Sequence, residues 1–254
     1  MIEPSSGQQL FPHYSSVLIF LSYIISFFGS LLALQCTKWM FRENGTLDRE
    51  MAACAAIALG GIGIWSMHFI GMQAYHLPVP IAYDLVLTVI SLIAAIVISG
   101  IALYLTGHGG KFKVSGWISG SLLAGLGVCV MHYMGMYAMN LKAVMTLNPT
   151  TVGISIVIAI IAAAAALWLA FNLTKVSHRV AAALIMGLAV CSMHYVGMSA
   201  ASMICVADTP SVIWKIAGDD LGLWVFGVAS TVLLYIFWVV MGRSIDAPKL
   251  PSAA

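Results

Sequence analysis

The chain has 254 residues, 61% hydrophobic and 8% charged, with a mean hydropathy of +1.01 and a formal net charge of +2. An ordinary soluble domain carries about 25% charged residues, so this balance excludes a water-soluble globular protein and identifies an integral membrane protein. The small net charge leaves no electrostatic footprint for nucleic acid, and no nucleic-acid partner is expected.

Residues 1–13 are polar and irregular, and the first basic residue is Lys38. A cleavable signal peptide opens on a positively charged region, so the first apolar run reads as a retained helix behind a short external segment. Apolar runs follow at about 14–40, 51–75, 83–105, 115–139, 151–173, 180–204 and 221–242. Each is long enough to cross about 30 Å of hydrocarbon. The expectation is an all-α membrane protein of seven transmembrane helices spanning residues 14–243, with 244–254 as a tail or linker.

Basic residues set the expected orientation. Lys38, Arg42, Arg49, Lys111, Lys113, Lys175, Arg179, Arg243 and Lys249 fall on one side, and only Lys142 and Lys215 on the other. Lys and Arg favour the cytoplasmic side, so the N-terminus is expected outside and the C-terminus in the cytoplasm.

A six-residue signature recurs on alternate helices: Met67-His68-Phe69-Ile70-Gly71-Met72, Met131-His132-Tyr133-Met134-Gly135-Met136 and Met193-His194-Tyr195-Val196-Gly197-Met198. A further glycine precedes each histidine by seven residues, at Gly61, Gly125 and Gly187. Repetition of this length fixes the architecture. The unit is a helix pair, one running inward and one outward, with the signature near the outer end of the second. Three such pairs in the same orientation are parallel repeats, suited to a pseudo-threefold axis along the membrane normal, and the seventh helix stands apart. Gly116, Gly120 and Ala124 at four-residue spacing are helix-packing surface.

In a helix, each histidine and the methionine four residues later lie on one face, one turn apart. His68, His132 and His194 with Met72, Met136 and Met198 are therefore the leading metal-ligand candidates. Met67, Met131 and Met193, about 100° around the helix, are weaker ones. Imidazole with thioether and no acidic residue favours copper, the cuprous ion especially, over zinc or iron. One or two copper ions are expected. Hydrogen-bonded structural histidines are the competing explanation. Five cysteines, Cys36, Cys54, Cys129, Cys191 and Cys205, lack zinc-type spacing. Cys129 and Cys191 precede their histidines by three residues, but Trp65 takes that place in the first copy, which excludes a symmetrical thiolate site. His13, Tyr75, His76, Asp84 and Asp208 read as interfacial polar residues.

Seven helices with Met-His-Tyr motifs near the outer ends of the second, fourth and sixth resemble the MHYT domain, an integral membrane sensor module of bacteria. The likeness covers residues 14–243. It implies copper held by the three histidines and six methionines just named, a diatomic gas ligand (oxygen, carbon monoxide or nitric oxide) and location in the bacterial cytoplasmic membrane. It also implies an output through a cytoplasmic cyclic-di-GMP domain or partner. The motif departs from the family pattern at Ile70, Met134 and Val196, which replace the final Thr, and at Phe69. No synthase or hydrolase signature follows the seventh helix, so catalysis by this chain is not expected. A copper carrier or permease, and a haem- or copper-dependent redox protein, are the alternatives. A bulky residue at Gly135 is expected to uncouple sensing from output while metal still binds.

Overall fold

The computed structural model describes residues 5–208 and 212–246. Residues 1–4 of the expected N-terminal segment and 247–254 of the expected tail lie outside this range. Among the described residues, seven helices are long and apolar enough to span a membrane: α1 Ser16–Trp39, α2 Arg49–Gln73, α3 Leu85–Gly107, α4 Val114–Tyr137, α5 Pro149–Asn172, α6 Val176–Ser199 and α7 Gly218–Asp246. The chain is a multi-pass membrane protein.

Short polar residues start several helices. Asp48 accepts a hydrogen bond from Met51 N, Asp84 from Val86 N and Leu87 N, and Asn148 from Thr150 N and Thr151 N ahead of Pro149. Each satisfies amide donors that the first turn leaves free. The motif helices close in a matching way, on Ala74, Ala138 and Ala200. The carbonyls of these alanines accept hydrogen bonds from Ser15 N (3.0 Å), Asp84 N (2.8 Å) and Asn148 N (2.9 Å), the residues that begin α1, α3 and α5. Every pair is thus pinned where its first helix begins and its second ends.

Neighbouring pairs meet through the glycines seven residues before each histidine. A β-carbon placed at Gly61 would touch Ile96 of α3 at 3.4 Å, at Gly125 it would lie 2.6 Å from Ile160 Cα of α5, and at Gly187 3.2 Å from Phe27 N of α1. The contacts run from α2 to α3, from α4 to α5 and from α6 back to α1, which closes a ring of six helices about a pseudo-threefold axis. Within the second pair, Gly116 of α4 packs against Leu105 O of α3, and Gly120 against Thr106 Oγ1 and Ala102 O. Helix α7 lies outside the ring against α1 and α2. As a result 89% of the α2 span is buried, against 22–44% for the other helices.

Two features differ from the sequence expectation. The sixth helix ends at Ser199 instead of near residue 204, because Ala201–Cys205 alternates outward and inward residues and pairs with Ala143–Leu147 and Gln9–Leu10 as a small antiparallel sheet. Similar short strands, Ala82–Asp84 with Met139–Asn140 and Lys215–Ala217, close the same end of the bundle. The middle of α2, Ile57–Ser66, is a π-helix. Ser66 Oγ donates to Gly61 O and Ser26 Oγ of α1 to Gly63 O, both at 2.8 Å, so side chains satisfy carbonyls in the widened turns.

Candidate metal centre

The six-helix ring brings the three signature copies to one level near the strand-capped end. His68, His132 and His194 are 0–1% exposed. Their Nδ1 atoms converge on the pseudo-threefold axis, with separations of 3.0 Å (His68 to His194), 3.1 Å (His132 to His68) and 3.3 Å (His194 to His132). Ring centroids lie 4.9–5.1 Å apart and ring planes cross at 79–87°, so the imidazoles stand like propeller blades.

The outward edge of each ring explains the motif glycine. A β-carbon at Gly71 would lie 2.5 Å from His194 Nε2. One at Gly135 would meet His68 Nε2 and one at Gly197 His132 Nε2, both closer still. Each glycine accommodates the histidine of a neighbouring repeat. A bulky residue at Gly135 must therefore displace the His68 ring.

Protons alone satisfy this arrangement poorly. A neutral imidazole nitrogen is either a donor or an acceptor, never both. Three mutually facing Nδ1 atoms thus leave at least one pair of like groups opposed. All three Nε2 atoms are buried, each against the motif glycine of a neighbouring repeat. A cation on the axis would be faced by three lone pairs at once. The observed spacings place the nitrogens on a circle of about 1.8 Å radius, close to the ~2.0 Å metal–imidazole bond. The residues fit a three-coordinate metal ion.

The six signature methionines are each 1% exposed. Met72, Met136 and Met198 stand one turn beyond the histidines towards the strands, and Met67, Met131 and Met193 immediately before them. Among the described residues the only close cluster of three or more His, Cys, Asp or Glu donors is the three histidines. Cys129 and Cys191 are buried but do not join it. His13 and Tyr14 pair across two short strands with His76 and Tyr75, where burial pushes the Tyr75 hydroxyl up to about 12. Asp84 is a helix cap and Asp208 is exposed, so the interfacial residues stay outside the cluster.

Sequence reasoning missed the role of the aromatic residue. Tyr133 Oη lies 2.7 Å from Ser155 Oγ of α5, and Tyr195 Oη 2.9 Å from Ser22 Oγ of α1. Both serines donate to carbonyls three residues back, so the tyrosines are the donors. In the first copy Phe69 has no hydroxyl, and Trp65 Nε1 donates to the corresponding Ser91 Oγ at 2.9 Å. Trp65 and Phe69 exchange roles while the contact with the next helix is kept.

The fold and site together define a membrane bundle built from repeated helix pairs, each contributing one buried histidine to a shared centre. Residues 61–113 and 125–183 match the MHYT family, described as a bacterial signalling protein N-terminal repeat. The chain belongs to that family. The third copy, with His194, lies beyond the matched segments and is identified by its motif and its place in the centre. MucR of Pseudomonas aeruginosa, a bifunctional diguanylate cyclase/cyclic di-GMP phosphodiesterase, is 40% identical over 197 residues, covering 76% of this chain and 28% of MucR. NbdA of the same organism, a cyclic di-GMP phosphodiesterase, is 31% identical over 229 residues, 87% of this chain and 28% of NbdA. The signalling protein YkoW of Bacillus subtilis is 29% identical over 196 residues, 74% of this chain and 24% of YkoW. The chain thus spans less than a third of the length of these relatives. No solved structure matches it.

Proposed function

We propose that this chain is the membrane sensor module of a cyclic di-GMP signalling system, with copper held by Nδ1 of His68, His132 and His194. Met72, Met136 and Met198 would supply soft sulfur on the strand side. The observation that carries this reading is the convergence of three buried imidazole nitrogens, on helices whose signature methionines are also buried, without a carboxylate among the clustered donors. Imidazole with thioether suits copper, especially cuprous copper. Bound there, copper would supply a position for a diatomic ligand such as O2, CO or NO, or a one-electron change of state.

The protein's own contribution is positional. The motif glycines let the imidazoles approach the axis, the Tyr–Ser and Trp–Ser bonds fix the motif helices, and burial keeps bulk water away. A haem held by two of these histidines is disfavoured, because nitrogens within 3.3 Å of one another leave no room for a porphyrin plane between them. A permease is disfavoured by the apolar interior inward of the triad.

Elemental analysis and optical spectra of purified protein, with and without reductant, test the reading. Copper is expected in the wild type. His68→Ala/His132→Ala/His194→Ala protein should remain a membrane protein and lose it; full copper occupancy in that variant would overturn the assignment. The basic-residue pattern puts the strand-capped end outside the cytoplasmic membrane. A reporter fused after Arg243 should accordingly behave as cytoplasmic, and external behaviour would reverse the orientation.

A further inference from the structure

On the inward side of the triad, the bundle holds a partly open cavity of about 40 Å³. Ile64, Val128 and Val190 line it, each four residues before a signature histidine, and Met193 joins them. In α4 and α6 four residues are one turn, about 6 Å of rise. The cavity therefore begins about one turn from the imidazoles and extends towards α3 and α5, whose Ser99, Ala163 and Leu167 also line it. The rest of the wall is alanine, leucine and a further methionine, with Ser99 as its one hydroxyl.

Volume and lining decide what it holds. A water needs about 10–15 Å³ of such space and two to four polar partners. The space suffices for a few heavy atoms, but Ser99 alone cannot hydrate it, and genuinely empty apolar cavities of this kind stay dry and take up xenon or small hydrocarbons. We propose that this cavity is a binding site for a small apolar molecule of diatomic size, docked within the bundle about one turn from the histidine triad. Linking it to O2, CO or NO rests on the sensor reading above; the apolar site itself does not. Met193, which lines the cavity, and the adjacent His194 connect its occupancy to the triad.

Xenon is the probe, because it binds without metal chemistry. In copper-free wild-type protein under xenon pressure, anomalous diffraction should show xenon between Val128, Val190 and Met193. Ala163→Leu, which extends a buried wall residue into the space, should abolish that peak while leaving copper content unchanged. If binding must then await a rearrangement, CO association with the copper form should slow about tenfold or more. Absence of xenon from the wild-type cavity would overturn the site. An unchanged CO association rate in the xenon-free variant would overturn its part in gas binding. Xenon binding in a protein whose metal never responds to CO would sustain the cavity and refute the gas reading.

Discussion

Gly135 shows how far a single residue controls this centre. Its missing β-carbon is the space into which the His68 ring projects, and Gly71 and Gly197 do the same for His194 and His132. In most helices Gly→Ala stabilises, because alanine loses less backbone entropy on folding. Here the added methyl overlaps an imidazole, and overpacking of a tight interior costs about 1–3 kcal/mol. The expected result of Gly135→Ala is loss of most bound copper, since His68 Nδ1 moves off the axis, while the membrane bundle still assembles. Titration of reduced protein with a competing cuprous chelator reads this out. Wild-type copper affinity in the variant would show that the ring moves without consequence, and the reciprocal glycine–histidine packing would then have no part in metal binding.

At the scale of elements, the helices were legible because membrane spans announce themselves by length and apolarity, and the repeat because it is copied three times. The ends were less legible. Ala201–Cys205 is apolar enough to extend α6, and only pairing with Ala143–Leu147 shows that it is a strand. The π-helical stretch of α2 carries no signal separable from its glycines, since Gly61 and His68 keep the same spacing as in the α-helical copies. Its widening depends on tertiary partners such as Ser26. The three histidines were readable as equivalent positions, but not the atom each presents to the others. That depends on ring orientations set by glycines on other helices. The substitution of Trp65 for cysteine and Phe69 for tyrosine looked like two unrelated departures, and Ser91 makes them one: the hydrogen bond to the neighbouring helix is kept while its donor moves four residues along the chain.

For the whole molecule, the question is how a change at the triad reaches the far end of the bundle. Helix α2 is the most buried span and is covered, with α1, by α7. One end carries His68, and at the other Asp48 caps the helix through Met51 N at 3.2 Å. Asp48 also pairs with Arg243 near the end of α7 at 3.2 Å and with Arg42 at 3.6 Å, its side chain only 4% exposed. Arg243 reaches Glu50 as well at 2.9 Å, but that carboxylate is half exposed, and such surface pairs contribute little. Asp48 is therefore a buried charged tie between α7 and α2, the helix that carries His68. A ligand at the triad can signal only by favouring one arrangement of these helices over another, and Asp48→Asn isolates that step. Asparagine preserves the N-cap but removes the charge that holds Arg243. The prediction is unchanged copper content together with loss of most of the gas-dependent change in cyclic di-GMP turnover by a fused or partner output domain. A variant with normal copper and a full gas response would exclude the Asp48–Arg243 contact as the route and leave the α1 face of α7 as the path to examine.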